Sequence, residues 1–177
     1  AALLMALPRL TSRDTFNVIE FNSIVHALFP APQPVTTATM RKAIKFVDRL
    51  AANGGTEMLP ALTQALKAPA DAQRIQQVIF LTDGQVGNET ELFELIRQRL
   101  GPRRLFTVGI GSAPNSHFMR KTSEFGRGTF THIGNVNEVK DKMDALFRKL
   151  ERPVLTDIRL EGTGLDGAEL FPSRIPD

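Results

Sequence analysis

Two positions in this chain pair a hard oxygen donor with a backbone setting that could bring it to an ion. Asp83 ends the apolar run Val78-Ile79-Phe80-Leu81 as Thr82-Asp83-Gly84. Thr56 follows Gly54-Gly55, and nothing protrudes from that glycine pair to keep a ligand away from the backbone. A carboxylate and a hydroxyl suit magnesium, calcium or manganese, and not zinc. Two ligands alone are too few for such an ion, and both residues also have an ordinary reading in which Asp83 closes a turn and Thr56 caps the helix that follows.

Other chemistry finds less support. Gly109-Ile110-Gly111-Ser112-Ala113-Pro114 has proline where a dinucleotide fingerprint needs its third glycine, and it falls late in the chain. Neither a Gly-x-x-x-x-Gly-Lys phosphate loop nor a Gly-x-Ser-x-Gly nucleophile elbow occurs. The absence of Cys excludes thiolate zinc sites, disulfides and cysteine nucleophiles without fixing a compartment. His26, His117 and His132 are dispersed, and two of them sit inside strand patterns, which suits core or surface roles better than a ligand set. Asn88-Glu89-Thr90 matches a glycosylation acceptor but reads better as a helix cap.

The elements that must position Thr56 and Asp83 follow from hydrophobic period. Leu3, Leu4, Leu7 and Leu10 share a helical face over residues 1–10. Residues 16–21 and 24–29 are β-branched and aromatic runs separated by Asn22-Ser23, which predicts a hairpin. Pro30, Pro32 and Pro34 form a stiff connector. Thr36 or Thr37 then caps a helix with Met40, Ile44, Val47 and Leu50 inward, closed by Asn53-Gly54-Gly55. A short helix with Pro60 in its first turn leads to the run at 78–81, whose continuous apolar character predicts burial on both faces. Beyond it, Asn88 and Glu91 open a helix closed by Gly101-Pro102, residues 105–110 form a strand and residues 116–125 a helix. A strand at 128–133 and a helix from Asn135 with Val139, Met143, Leu146, Phe147 and Leu150 inward complete the alternation.

Strands alternating with helices predict a doubly wound, mostly parallel α/β sheet with helices on both faces, and the tight hairpin predicts one antiparallel edge strand. Chain length suits one main domain at 1–151. Residues 152–177, broken by Gly162, Gly164, Gly167, Pro172 and Pro176, read as the start of a neighbouring β-rich domain. Charges of both signs are interspersed and sum to +3, with no basic block for nucleic acid, and no apolar run approaches a bilayer span.

Phe80-Leu81-Thr82-Asp83-Gly84 at a strand end, Gly54-Gly55-Thr56 before it, and Val108-Gly109-Ile110-Gly111-Ser112 on the next strand together resemble the von Willebrand factor type A family over residues 1–151. Gly128-Thr129-Phe130-Thr131 and Pro153-Val154-Leu155-Thr156-Asp157 look closest to the inter-alpha-trypsin inhibitor heavy chains and their bacterial relatives. The resemblance implies a Rossmann-like fold, an extracellular or cell-envelope setting, and a metal-ion-dependent adhesion site (MIDAS). Such a site draws on an Asp-x-Ser-x-Ser loop, a Thr in a second loop and an Asp in a third, the last two matching Thr56 and Asp83.

No Asp-x-Ser-x-Ser occurs in the sequence, and Thr11-Ser12 and Ser112 do not fit its spacing. That loop belongs just before the helix at 1–10, so the expectation is a fragment cut after it, binding magnesium (or calcium or manganese) weakly or not at all. The implied function is a non-enzymatic protein-binding module whose cation is completed by an acidic side chain of the partner. The alternatives are a nucleotide or phosphotransfer enzyme using Asp83, and a scaffold that has lost its metal. The resemblance places an absent first strand between those at 16–21 and 78–81. We expect Val154–Leu160, from the same chain or a swapped second copy in a homodimer, to fill that slot.

Overall fold

The computed structural model describes residues 2–51, 54–71, 74–83, 87–111 and 115–151. Helix α1 (Ala2–Ala6) continues as a 3-10 turn at Leu7–Arg9, where Pro8 is tolerated because early N–H groups of a turn lack helical partners in any case. Its leucines meet Phe16, Val18, Phe29, Ala43 and Val47 as their spacing predicts. Ala2, Met5 and Ala6 lie against a different cluster, so this short helix is covered from two sides.

The run expected as a single strand at 16–21 is interrupted. Strands β1 (Thr15–Phe16) and β2 (Ile19–Phe21) are separated by Asn17 and Val18, and Asn17 makes the break. Its side-chain oxygen accepts from the N–H groups of Val18 and Phe29, and its amide donates to the Phe29 carbonyl, so a side chain replaces a rung of the ladder. β2 and β3 (Val25–Ala27) form the expected antiparallel hairpin around Asn22-Ser23. The proline connector is not merely a spacer: β4 (Gln33–Pro34) pairs antiparallel with β1, an edge position where a residue without an N–H is accommodated.

Helix α2 (Thr37–Val47) begins at a capping box between Thr36 and Thr39. Its inward stripe is Met40, Ala43 and Val47. Ile44, expected inside, is 42% exposed because it lies one step around the helix from that stripe. The alternation that follows matches the sequence closely: α3 (Met58–Ala65), β5 (Gln77–Thr82), α4 (Glu89–Arg99), β6 (Arg104–Ile110), α5 (Ser116–Phe125), β7 (Phe130–Ile133) and α6 (Val139–Leu150).

β5, β6 and β7 form a parallel sheet with β6 central. Successive β6 side chains point to opposite faces, so Leu105 joins Met58, Leu62, Leu92, Ile96 and Phe118 while Phe106 and Val108 join Ile133, Met143 and Phe147. Helices therefore cover both faces, as a doubly wound sheet requires. β5 departs from expectation: only Phe80 and Thr82 are buried, because among the described residues β5 is an outer strand. Among the described residues the antiparallel strands pair with one another, β1 with β4 and β2 with β3, and not with the parallel sheet. β2 and β5 are not hydrogen-bonded to each other, and Phe21 instead stacks on Phe80 at 4.9 Å. Val154–Leu160 and the rest of 152–177 lie outside the described residues.

Candidate functional site

Parallel strands separated by helices bring all strand ends of one kind to one end of the sheet. Asp83 follows the last residue of β5 at the carboxyl end. α3 must run opposite to β5, since the chain re-enters the sheet at Gln77, so Thr56 at the start of α3 lies at the same end. The first turns of α4, with Glu89 and Glu91, and of α5 lie there too. Asn115 caps α5 by accepting from the Phe118 N–H at 3.1 Å and donates its own amide to Glu89.

Among the described residues the Thr56 side chain does not cap α3, and the turn that Asp83 would close runs into residues 84–86, outside the described residues. The residue capping α3 is Glu57, whose side chain makes no capping bond, and the Thr56 hydroxyl is half-buried without a hydrogen bond among the described residues. The Asp83 carboxylate is exposed and makes neither a hydrogen bond nor an ion pair among them. Both oxygen groups are uncommitted at the carboxyl end of a sheet, where ligands of open α/β folds gather.

The loop that carries Thr56 is held from outside. The Gly55 N–H donates to Ser23 Oγ at 3.0 Å, and the Glu57 N–H donates to the Asn22 carbonyl at 2.9 Å. Gly54 has φ of +93°, and a Cβ there would lie 2.6 Å from Ser23 Oγ, so both backbone and space demand glycine. The sequence marks Asn22-Ser23 only as a turn. No local signal could reveal its second role, because the partner loop is 32 residues away.

Among the described residues no group of three or more His, Cys, Asp or Glu is arranged to hold a metal. Thr56 and Asp83 fit a hard divalent cation by donor chemistry and would by themselves supply only part of its coordination. The histidines are not assembled: His26 packs on the Phe46 ring, and His132 Nε2 lies 3.0 Å from the Gly111 carbonyl oxygen. Gly109 lies within β6, paired to Thr82 and His132. Asn88 stands at the N-cap position of α4, but its side chain makes no capping bond to the helix backbone and its amide lies 3.4 Å from Glu91.

Comparison with known proteins agrees with this geometry. The sequence profile of the von Willebrand factor type A domain matches residues 1–132. A von Willebrand factor A domain-containing protein of Dictyostelium discoideum is 27% identical over 175 residues, spanning 98% of this chain and 19% of that protein. Human von Willebrand factor A domain-containing protein 5B1 is 27% identical over 175 residues, spanning 98% of this chain and 14% of that protein. The chain thus spans less than a fifth of these relatives. The solved structure of a von Willebrand factor type A protein from Catenulispora acidiphila superposes with a TM-score of 0.71 at 27% identity, over 82% of this chain and 36% of that one. BatB from Bacteroides thetaiotaomicron is alike in fold alone, with a TM-score of 0.63 at 12% identity over 85% of each chain.

Proposed function

This chain belongs to the von Willebrand factor type A domain family, and on that premise we propose that it is a protein-binding module whose hold on its partner depends on a divalent cation bound in part by Thr56 and Asp83. Domains of this family are generally protein-interaction modules, and the chain is read as one. The observation that carries the metal dependence is the pair of uncommitted oxygen groups at one end of the sheet. Both lie at the carboxyl end of the sheet, where ligands of open α/β folds gather, and both match by position the Thr and the Asp of the family's metal site.

A magnesium-class cation, when bound, supplies coordination positions that a partner carboxylate can fill. The chain's own contribution is to present a neutral hydroxyl from one loop and a single negative charge from another. With hydroxyls and few carboxylates as ligands, the cation keeps a coordination position that an acidic side chain of the partner can fill. The remaining ligands are those of an Asp-x-Ser-x-Ser loop in the family pattern. An extracellular or envelope location belongs to the same proposal, resting on the resemblance to inter-alpha-trypsin inhibitor heavy chains.

A retention experiment tests this function. A form of the chain extended upstream by a segment carrying Asp-x-Ser-x-Ser is immobilised and offered a pool of acidic peptides. We expect retention in magnesium, release by chelator, and no retention by the Asp83→Ala form. Peptide retention that ignores both chelator and Asp83→Ala contradicts the proposal.

A further inference from the structure

Thr56 sits between two residues whose amides are bound by the same hairpin tip: Gly55 by Ser23 Oγ at 3.0 Å and Glu57 by the Asn22 carbonyl at 2.9 Å. The tip is itself rigid. The Asn22 N–H donates to the Ile24 carbonyl at 3.0 Å, and the Ile24 N–H donates to Asn22 Oδ1 at 2.9 Å. Below it, three residue pairs hold the β2–β3 register, ending at Phe21↔Val25. Phe21, next to Asn22, stacks on Phe80 at 4.9 Å with ring planes 20° apart, and Phe80 lies three residues before Asp83. One stiff element therefore touches the Thr56 loop with its tip and the Asp83 strand with its last paired side chain.

We infer that the β2–β3 hairpin is a brace that fixes Thr56 relative to Asp83, with Ser23 as a positioning residue. The inference rests on the cation reading above. Gly54 shows how close the fit is, since any side chain there meets Ser23 Oγ. A two-loop site gains affinity when its ligands are held in place before the ion arrives, because less freedom is lost on binding. The brace provides that without contacting the ion. Phe21 and Val25 also pack against the core, so the hairpin has a purely structural share. Ser23 separates the two roles, because its hydroxyl serves the Thr56 loop while Phe21 makes the contact with β5.

The test is an NMR titration with manganese, whose paramagnetism broadens nearby amide signals, of a form of the chain extended upstream by an Asp-x-Ser-x-Ser segment. In the wild type, the Thr56 and Asp83 signals broaden together. In Ser23→Ala, Gly55 amide exchange rises about tenfold, and Thr56 broadening falls while Asp83 broadening persists. Ser23→Thr, which keeps the oxygen, restores both. Unchanged signals from β5, β6 and β7 in Ser23→Ala exclude general unfolding as the cause. Gly55 exchange that is the same in Ser23→Ala as in the wild type overturns the brace. Equal broadening of Thr56 and Asp83 in Ser23→Ala overturns the positioning role. Broadening at neither residue in the wild type overturns the cation reading and the positioning role with it, a failure separate from that of the brace.

Discussion

The amino end of the parallel sheet and the two candidate ligands at its carboxyl end differ in how their polar groups are satisfied. At the amino end, Arg103 is only 5% exposed. Its guanidinium donates to Gln76 Oε1 at 3.0 Å, to the carbonyls of Arg99 at 2.9 Å and Leu100 at 3.4 Å, and to the Ala68 carbonyl. Burial lowers its pKa, but arginine still remains charged, and the carbonyls at the end of α4 supply the negative potential that accommodates it. Arg9 at the same end pairs with Asp144 at 2.6 Å and Glu151 at 2.7 Å, and Gln77 donates to the Leu150 carbonyl. At the carboxyl end, Thr56 and Asp83 have their oxygens free among the described residues. Under the proposed function, groups that fasten the fold are saturated from within, and the two proposed cation ligands are left for the ion to complete.

Substitutions can break or sharpen this contrast. The largest effect is expected from Arg103→Ala, which removes a buried side chain together with its hydrogen bonds to Gln76 and to the Ala68, Arg99 and Leu100 carbonyls. We expect a loss of about 3 kcal/mol and a fall in Tm of roughly 6–12 °C for a chain of this size, with manganese broadening at Asp83 unchanged. A thermal melt that barely moves would remove the amino end's claim to hold the fold. Gly54→Ala follows, costing about 1–2 kcal/mol through its forbidden φ and its collision with Ser23. Its Gly55 amide should exchange faster than in the wild type, which hydrogen exchange reads directly.

Arg9→Ala should lower Tm slightly at low ionic strength and not at about 1 M salt, because the pair with Asp144 and Glu151 is partly solvated. The smallest stability effects belong to the carboxyl end. Asp83→Ala and Thr56→Val should each change stability by less than about 0.5 kcal/mol, measured by denaturant unfolding. A loss of several kcal/mol from either would show that the group is fastened after all, and the contrast between the ends would collapse.

Much of the frame was legible because periodicity reports which face of an element is buried. The apolar run at 105–110 became the central strand, and residues 116–125 became α5 with both ends as read. What escaped depends on side-chain oxygens reaching distant backbone. Asn17 divides a run that propensity alone makes one strand, and Pro34 pairs in a connector that proline content makes a spacer. Ile44 misled because Ala43, small and unremarkable by hydropathy, holds the inward position. At the site, Thr56 and Asp83 were visible from a glycine pair and a strand end, and the family resemblance gave them a role. Their uncommitted state was not visible, and neither was the hold of Asn22-Ser23 on their loop, since both are facts of three-dimensional arrangement. Arg103 was not singled out, because an arginine ahead of a strand has the ordinary look of a surface residue.

The central claim is that Thr56 and Asp83 are part of a cation site that other oxygen ligands complete. Magnesium calorimetry on the 177-residue chain, and on a form extended upstream by an Asp-x-Ser-x-Ser segment, tests it most directly, each with and without Asp83→Ala. We predict binding by the chain alone that is at most weak at millimolar magnesium, and clear binding by the extended form that Asp83→Ala abolishes. Tight binding by the chain alone, or binding by the extended form that survives Asp83→Ala, would contradict it.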